Sequence, residues 1–227
     1  MYRQRKNTAL AIALLFHICG AVGILFTPYK DWFINNTPLN LLLMAALLMY
    51  TQQQRNLYFC LFILIAFAMG MLAEMVGVHT GYLFGNYTYR NVMGYKFNGV
   101  PLLIGVQWFV TIYCSGVIMQ QLHGWVAAKS AATGTALPSW LQFASLIIDG
   151  ALLATTFDYI MEPVAVKLGF WQWANNQVPF FNYVCWFIIS AILLVVFRLM
   201  PFNKTNPFAL HLLIIQLLFF LILRSFL

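Results

Sequence analysis

Four of the five acidic residues in this chain lie within, or at the end of, long apolar stretches. They are Glu74, Asp149, Asp158 and Glu162, whereas Asp31 stands in a more polar segment. An ionisable side chain inside a bilayer costs at least about 2.5–3.5 kcal/mol, so such residues face the interior of a helix bundle and are functional candidates by default. These four acids are therefore the first candidates for catalytic residues.

A buried carboxyl group favours one kind of chemistry. A low-dielectric pocket disfavours the charged form, and a second carboxyl nearby disfavours it further. Such an acid can stay protonated at neutral pH and donate its proton. Among aromatic rings it suits protonation of an unactivated carbon–carbon double bond, because aromatic faces stabilise a carbocation. The membrane location favours a lipid-soluble polyene as substrate.

The composition indicates that the chain is a membrane protein. Of its 227 residues, 63% are hydrophobic and 7% are charged, against about 45–50% and about 25% in soluble domains. The mean hydropathy is +0.82. So few charges cannot cover a water-facing surface, which excludes a soluble domain. The net charge of +7 comes from 12 basic residues scattered mostly between apolar runs, a pattern typical of membrane proteins and not of nucleic-acid-binding proteins.

About seven apolar stretches are long enough to predict transmembrane helices. They are residues 8–27, 35–51, 57–78, 101–122, 139–162, 182–200 and 207–226. Pro38 makes the second stretch the weakest. The prediction is an all-α, polytopic membrane helix bundle that forms a single domain over residues 1–227. The basic residues divide seven to five in favour of an inside N-terminus.

Two loops are predicted to share one membrane face. Because the third and fifth spans run in the same direction, loops 79–100 and 163–181 follow on the same side. With a rise of about 1.5 Å per residue, Glu74 and Asp158 lie at similar depth, about 10 and about 11 Å from the middle of their spans. Glu162 is one turn further out, on nearly the same side of the helix as Asp158.

Polar and aromatic residues around these acids are candidates for substrate binding. An aromatic belt at the lipid headgroups explains some of the rings, but not why polar residues gather at the same place. The candidates are His79, Tyr87, Tyr89, Gln107, Trp108, Asp149, Trp171, Trp173 and Asn182. Asp149 stands about half a turn around the helix from Asp158, which directs it toward another neighbour. We predict a polar pocket roofed by aromatic loops and sunk partway into one leaflet.

Five sequence stretches, taken together and in their order along the chain, resemble those of a known protein family. They are EMVGVHTGYLFGNYTY at 74–89, GVPLLIGVQW at 99–108, DYIMEP at 158–163, GFWQW at 169–173 and VPFFNYVCW at 178–186. This core, about residues 70–190, resembles the integral-membrane carotenoid hydratases of the bisanhydrobacterioruberin hydratase and acyclic-carotenoid 1',2'-hydratase type. The resemblance implies addition of water to the terminal C1=C2 double bond of a linear carotenoid end, giving a tertiary alcohol, without a cofactor.

The positions of the residues suggest individual roles. We predict that Asp158 donates the proton and that Glu74 holds or activates water. Glu162 would favour the protonated form of Asp158 or relay its proton. The aromatic candidates would shield the cation, Gln107 and Asn182 would position water, and His79 would relay protons from the aqueous face. The expected partners are a carotenoid, water and membrane lipid, and the expected location is a bacterial or archaeal cytoplasmic membrane.

Other functions remain open at this stage. A membrane carotenoid cyclase would share the protonation step but capture the cation with an internal double bond. A proton-coupled transporter also needs buried acids, although the sequence lacks the repeat symmetry common in transporters. A structural subunit would use the acids only to hold helices together. No metal site is predicted, since the four histidines lie in different segments and no cysteine pair has CxxC spacing.

Overall fold

The computed structural model describes residues 2–135 and 138–227, and most of them are helical. The helices are α1 (Tyr2–Phe26), α2 (Lys30–Asn35), α3 (Thr37–Thr51), α4 (Leu57–Thr80), α5 (Leu102–Ala132), α6 (Ser139–Lys167), α7 (Phe180–Leu199) and α8 (Pro207–Phe226). Within the described residues, α1 and α4 to α8 are the six helices long and apolar enough to cross a membrane. The predicted all-α, polytopic bundle is confirmed.

The second predicted span is shorter than expected. Pro38 lies in the first turn of α3, where its missing N–H would have had no helical partner. The 15 residues of α3 rise about 22 Å, less than the hydrocarbon core of about 30 Å. The residues before α3 form the short α2, whose Phe33 ring packs against α1 at Gly23. The structure thus has six long apolar helices and one short one in place of seven spans.

Helix α6 continues beyond its predicted end. The sequence places the end at Glu162 because Pro163 follows, but the helix runs to Lys167 with Pro163 inside it. Proline has no N–H to donate to the carbonyl four residues earlier, which is that of Tyr159. Arg224 of α8 donates to this carbonyl, with 3.2 Å between Nη1 and the oxygen. The proline is therefore accommodated by a neighbouring helix.

The two predicted loops meet in a small antiparallel sheet. Strand β1 (Tyr87–Tyr89) pairs with strand β4 (Trp171–Trp173). A second pair, β2 (Lys96–Phe97) with β3 (Val100–Pro101), lies between β1 and α5. The outer residues of β1 and β4 are buried and the central ones exposed, as the alternation of side chains in a strand requires. The two loops therefore lie together on the same side of the helix bundle, as the direction of the spans predicted.

Two glycines bring β1 back over α4. Helix α4 ends at Gly81, which adopts the left-handed conformation (φ +66°) and donates its N–H to the Gly77 carbonyl at 2.8 Å. The chain then returns so closely that a Cβ on Gly77 would lie 2.8 Å from the Tyr87 hydroxyl and 3.0 Å from the Leu83 carbonyl. The absence of a side chain at Gly77 therefore allows Tyr87 to reach α4.

We expect Gly77→Ala to destabilise the protein by about 1–3 kcal/mol, the usual cost of overpacking, because the added methyl group meets backbone and the tyrosine together. In detergent this lowers the midpoint of thermal unfolding by several degrees. Gly124→Ala is the control, since nothing lies within 4 Å of a Cβ built there and alanine favours the helix. Equal midpoints for the two variants would contradict this account of the loop.

Candidate active site

A cavity of about 600 Å³ lies beneath the sheet formed by β1 and β4. Its wall is mainly apolar, and no Lys or Arg of the described chain lines it. Ten residues proposed from sequence line it, namely Glu74, Tyr87, Tyr89, Gln107, Trp108, Asp158, Glu162, Trp171, Trp173 and Asn182. Helices α4, α5, α6 and α7 and both strands contribute to this set. The structure therefore brings together elements that are far apart in the chain.

Glu74 is buried on α4 and accepts hydrogen bonds on both carboxyl oxygens. The hydroxyls of Tyr87 and Tyr89 donate to Oε2 at 2.5 and 2.7 Å, and the Trp108 indole N–H donates to Oε1 at 3.1 Å. Burial first, and then the Glu74 charge, raise the pKa of both tyrosines well above its usual value, so both phenols keep their protons. Three such donors suit an ionised carboxylate, which only accepts.

Glu162 anchors β4 to α6. The indole N–H groups of Trp171 and Trp173 both donate to its Oε2, at 3.0 and 3.1 Å. The two tryptophans reach one acceptor because residues two apart in a strand share a face. Glu162 thus holds the sheet in place over the cavity.

Within the described structure, Asp158 accepts fewer hydrogen bonds than Glu74 or Glu162. Its side chain is 1% exposed, and among the described residues the bond shown to its carboxyl comes from Asn182 Nδ2, 2.8 Å from Oδ2. It lies one helical turn before Glu162, and both acids border the cavity that Glu74 also lines. Like charges at these positions would repel one another. Asp158 is therefore the carboxyl best placed to carry a proton.

Aromatic rings surround the acids. Trp108 stacks on Trp186 of α7, with ring centroids 3.9 Å apart and planes at 10°. The Tyr87 ring lies 5.0 Å from that of Trp173. Trp108 sits directly over Gly70 of α4, where a Cβ would lie 2.4 Å from its ring. The close approach of α4 and α5 at this glycine brings the indole N–H to Glu74.

Two candidates lie elsewhere. His79 is exposed at the end of α4, and its Nδ1 is 2.8 Å from the Met75 carbonyl, so it does not line the cavity. Asp149 accepts from Ser145 Oγ at 2.8 Å and lies 3.2 Å from His123 Nε2, away from the cavity. The half-turn between Asp149 and Asp158 accounts for this separation. Neither His79 nor Asp149 therefore lies with the other ten candidates at the cavity.

Several cavity residues were not among the sequence candidates. Asn40 of α3 and Gln216 of α8 line the cavity, and within the described structure their side-chain oxygens are buried without a hydrogen-bond partner. Phe84 and Trp186 also line it. Gln216 could have been proposed from the sequence, because it is a polar amide inside an apolar helix. Nothing in the sequence shows that α3 and α8 border the same space as α4 and α6.

The fold and this site together define an integral membrane protein with a buried, carboxyl-bearing cavity. The family model described as carotenoid biosynthesis protein matches residues 36–227, and the chain belongs to that family. This confirms, at the level of the family, the resemblance seen in the five sequence stretches.

One curated relative is similar over most of the chain. It is the bisanhydrobacterioruberin hydratase of Haloarcula japonica, 27% identical over 202 residues. The match covers 82% of this chain but 63% of the relative, so the chain spans less than two thirds of that protein's length. No solved structure matches the chain.

Removal of one donor from Glu74 tests the hydrogen-bond arrangement. We expect Tyr89→Phe to lower the free energy of unfolding by about 1.5–3 kcal/mol, as for other hydrogen bonds to charged groups, because a buried carboxyl loses a donor. Thermal unfolding in detergent measures the effect. Tyr82→Phe is the matched control, since the Tyr82 side chain is 81% exposed, and it should leave the midpoint unchanged. An equal effect of both variants would refute the arrangement.

Proposed function

We propose that the protein is a carotenoid hydratase, a cofactor-independent hydro-lyase. It would add water across the terminal C1=C2 double bond of an acyclic carotenoid end group. The observation that carries the proposal is the position of Asp158, a buried carboxyl with one hydrogen-bond donor in an aromatic cavity. Family membership and the name of the Haloarcula relative support a carotenoid as the substrate. We expect the protein in a bacterial or archaeal cytoplasmic membrane.

The reaction begins with proton transfer from the Asp158 carboxyl to C2 of the polyene end. The π electrons of the C1=C2 bond form the new C–H bond, and C1 becomes a tertiary carbocation. The Asp158 carboxylate remains, and Asn182 stabilises it by the donated hydrogen bond. General acids of this kind accelerate reactions by about 10²–10⁴-fold.

The cation forms among groups that stabilise positive charge. Trp173 and the stacked pair of Trp108 and Trp186 line the cavity, and a desolvated cation–π contact with such a ring contributes about 2 kcal/mol. The Glu74 carboxylate adds a negative charge that its three donors hold in a fixed place. A charge held in advance needs no rearrangement when the cation appears.

Water then captures the cation. Its oxygen bonds to C1, and the proton it releases returns to the Asp158 carboxylate, which restores the acid after each turnover. The unpartnered amide oxygens of Asn40 and Gln216 on the cavity wall support this step, because buried polar groups of this type bind ordered water. Capture by water favours the hydratase over the cyclase, whose cation must be kept dry.

Replacement of the acids tests the proposal in a lycopene-producing bacterial host. We expect Asp158→Asn to lower hydrated product by at least about 100-fold, the effect of losing a general acid, and Glu74→Gln to lower it strongly. Mass spectrometry of the pigments identifies hydration as a gain of one water. Asp149→Asn is the control on the same helix and should keep normal levels. Normal hydration in both Asp158→Asn and Glu74→Gln would refute the roles, and a product of unchanged mass with a ring would identify a cyclase.

A second substitution tests the supply of water. Gln216→Leu should reduce the share of cation captured by water, so that rearranged polyene of unchanged mass rises relative to the alcohol. Gln120→Leu is the matched control, because the buried amide oxygen of Gln120 also has no hydrogen-bond partner among the residues that the structure describes, but Gln120 does not line the cavity. The ratio of the two products, read by chromatography and mass spectrometry, is the measurement. An unchanged ratio in Gln216→Leu would exclude a role for this amide.

A further inference from the structure

The cavity wall is open on the side away from the acids. Five residues line the cavity and are at the same time exposed on the outer surface; they are Leu15, Phe16 and Cys19 of α1, Trp32 of α2 and Leu39 of α3. We call these five residues the mouth. Leu15, Trp32 and Leu39 are about 60% exposed or more. A side chain that borders both the cavity and the outer surface marks an opening.

The mouth is apolar and begins near the middle of a membrane-length helix. Leu15 stands next to the middle of the 25-residue α1, which is one of the six membrane-length helices. None of the five residues is charged. Trp32 directly follows Lys30 and Asp31 at the start of α2, whereas Leu15, Phe16 and Cys19 lie in the central part of α1. An apolar opening at this depth communicates with the hydrocarbon of the bilayer.

The opening arises because the chain between α1 and α3 forms only a short helix. Helix α1 packs against α8, α3 and α2, but α2 has six residues and turns back along α1 through the contact of Phe33 with Gly23. Helix α3 starts only at Thr37. Near this end of the bundle, a short segment therefore stands where a full membrane span would close the wall.

The size of the cavity requires an opening of this kind. A volume of about 600 Å³ falls in the range that encloses drug-sized ligands, about 300–1,000 Å³, and a linear carotenoid is much longer than such a ligand. The acids are on α4 and α6, whereas the mouth is on α1 to α3. A polyene end that reaches Asp158 through the mouth leaves the rest of its chain outside.

We infer that the mouth is a lateral entrance through which one end of a long polyene passes from the bilayer into the cavity, while the remainder of the chain stays in the mouth and the lipid. The inference rests on the proposed function for the identity of the polyene. It follows that the cavity binds and discriminates one end group at a time. The far end of the polyene stays outside and can vary in structure. The two ends of a symmetric polyene would be modified in separate binding events.

Bulky substitutions at the mouth test the inference, with matched positions on α4 as controls. The mouth variants are Cys19→Trp and Leu39→Trp. The controls are Cys60→Trp and Leu64→Trp, because Cys60 and Leu64 are likewise exposed but do not line the cavity. Each variant is given lycopene and, separately, myrcene, a short isoprenoid hydrocarbon with the same dimethyl-substituted end double bond.

We expect the mouth variants to lower conversion of lycopene by about tenfold or more, equal to about 1.4 kcal/mol in activation free energy, and to lower the lycopene that co-purifies with the protein. Conversion of myrcene should stay within about twofold, because a short chain can pass a narrowed mouth and then lies wholly inside the cavity, whereas lycopene must keep the rest of its chain in the mouth; about twofold is well below the tenfold expected for lycopene. The control variants should convert both substrates as the unsubstituted protein does.

Two results would overturn the inference. Conversion of lycopene by both mouth variants at the level of the controls would show that the chain enters elsewhere. A parallel loss of myrcene conversion would show that the tryptophans disturb the carboxyl site instead of the entrance. Lycopene that binds the unsubstituted protein without being hydrated would contradict the proposed function alone, and the comparison of bound lycopene between mouth and control variants would still decide the entrance.

Discussion

The structure depends on burying three carboxyl groups in one apolar space without a basic partner from the described chain. Each carboxyl removed from water must be compensated by hydrogen bonds or remain protonated. Glu74 has three donors and Glu162 has two, all from aromatic side chains that also form the wall. Asp158 has one. This unequal distribution of hydrogen-bond donors distinguishes Asp158 from the other two acids, and its proposed role as the proton donor rests on this difference.

The same donors explain why the loops fold as they do. Tyr87 and Tyr89 bind an acid on α4, and Trp171 and Trp173 bind an acid on α6, so the pairing of β1 with β4 connects both helices across the cavity. A two-stranded sheet of three-residue strands is marginally stable by itself. Its position is fixed by the four side chains beneath it. The sheet over the cavity therefore supplies four of the hydrogen bonds to its acids.

Much of this arrangement could be predicted from the sequence, and the reasons differ from residue to residue. Glu74, Asp158 and Glu162 were found because charge inside an apolar helix is costly, and helical rise gave their depth. Asp149 was proposed because it is also an acid in an apolar stretch, and His79 because it stands near the acids. Neither lines the cavity, because the direction in which a side chain points around the helix axis depends on the packing of its neighbours. The shortening of α3 depends on how α2 packs against α1. Asn40 and Gln216 border the cavity through tertiary contacts alone, which no local pattern encodes.

In the hydratase proposed above, the closed and open sides of the cavity would serve opposite requirements. On the α4–α7 side, protonation of a double bond needs a dry, rigid wall, because water free to enter would solvate Asp158 and remove the effect of burial. On the α1–α3 side, a long polyene needs a way in from lipid. An opening toward the bilayer satisfies both, since hydrocarbon admits the substrate and excludes bulk water. The water consumed in the proposed hydration would then be that bound by amides such as Gln216, whose oxygen has no hydrogen-bond partner among the described residues.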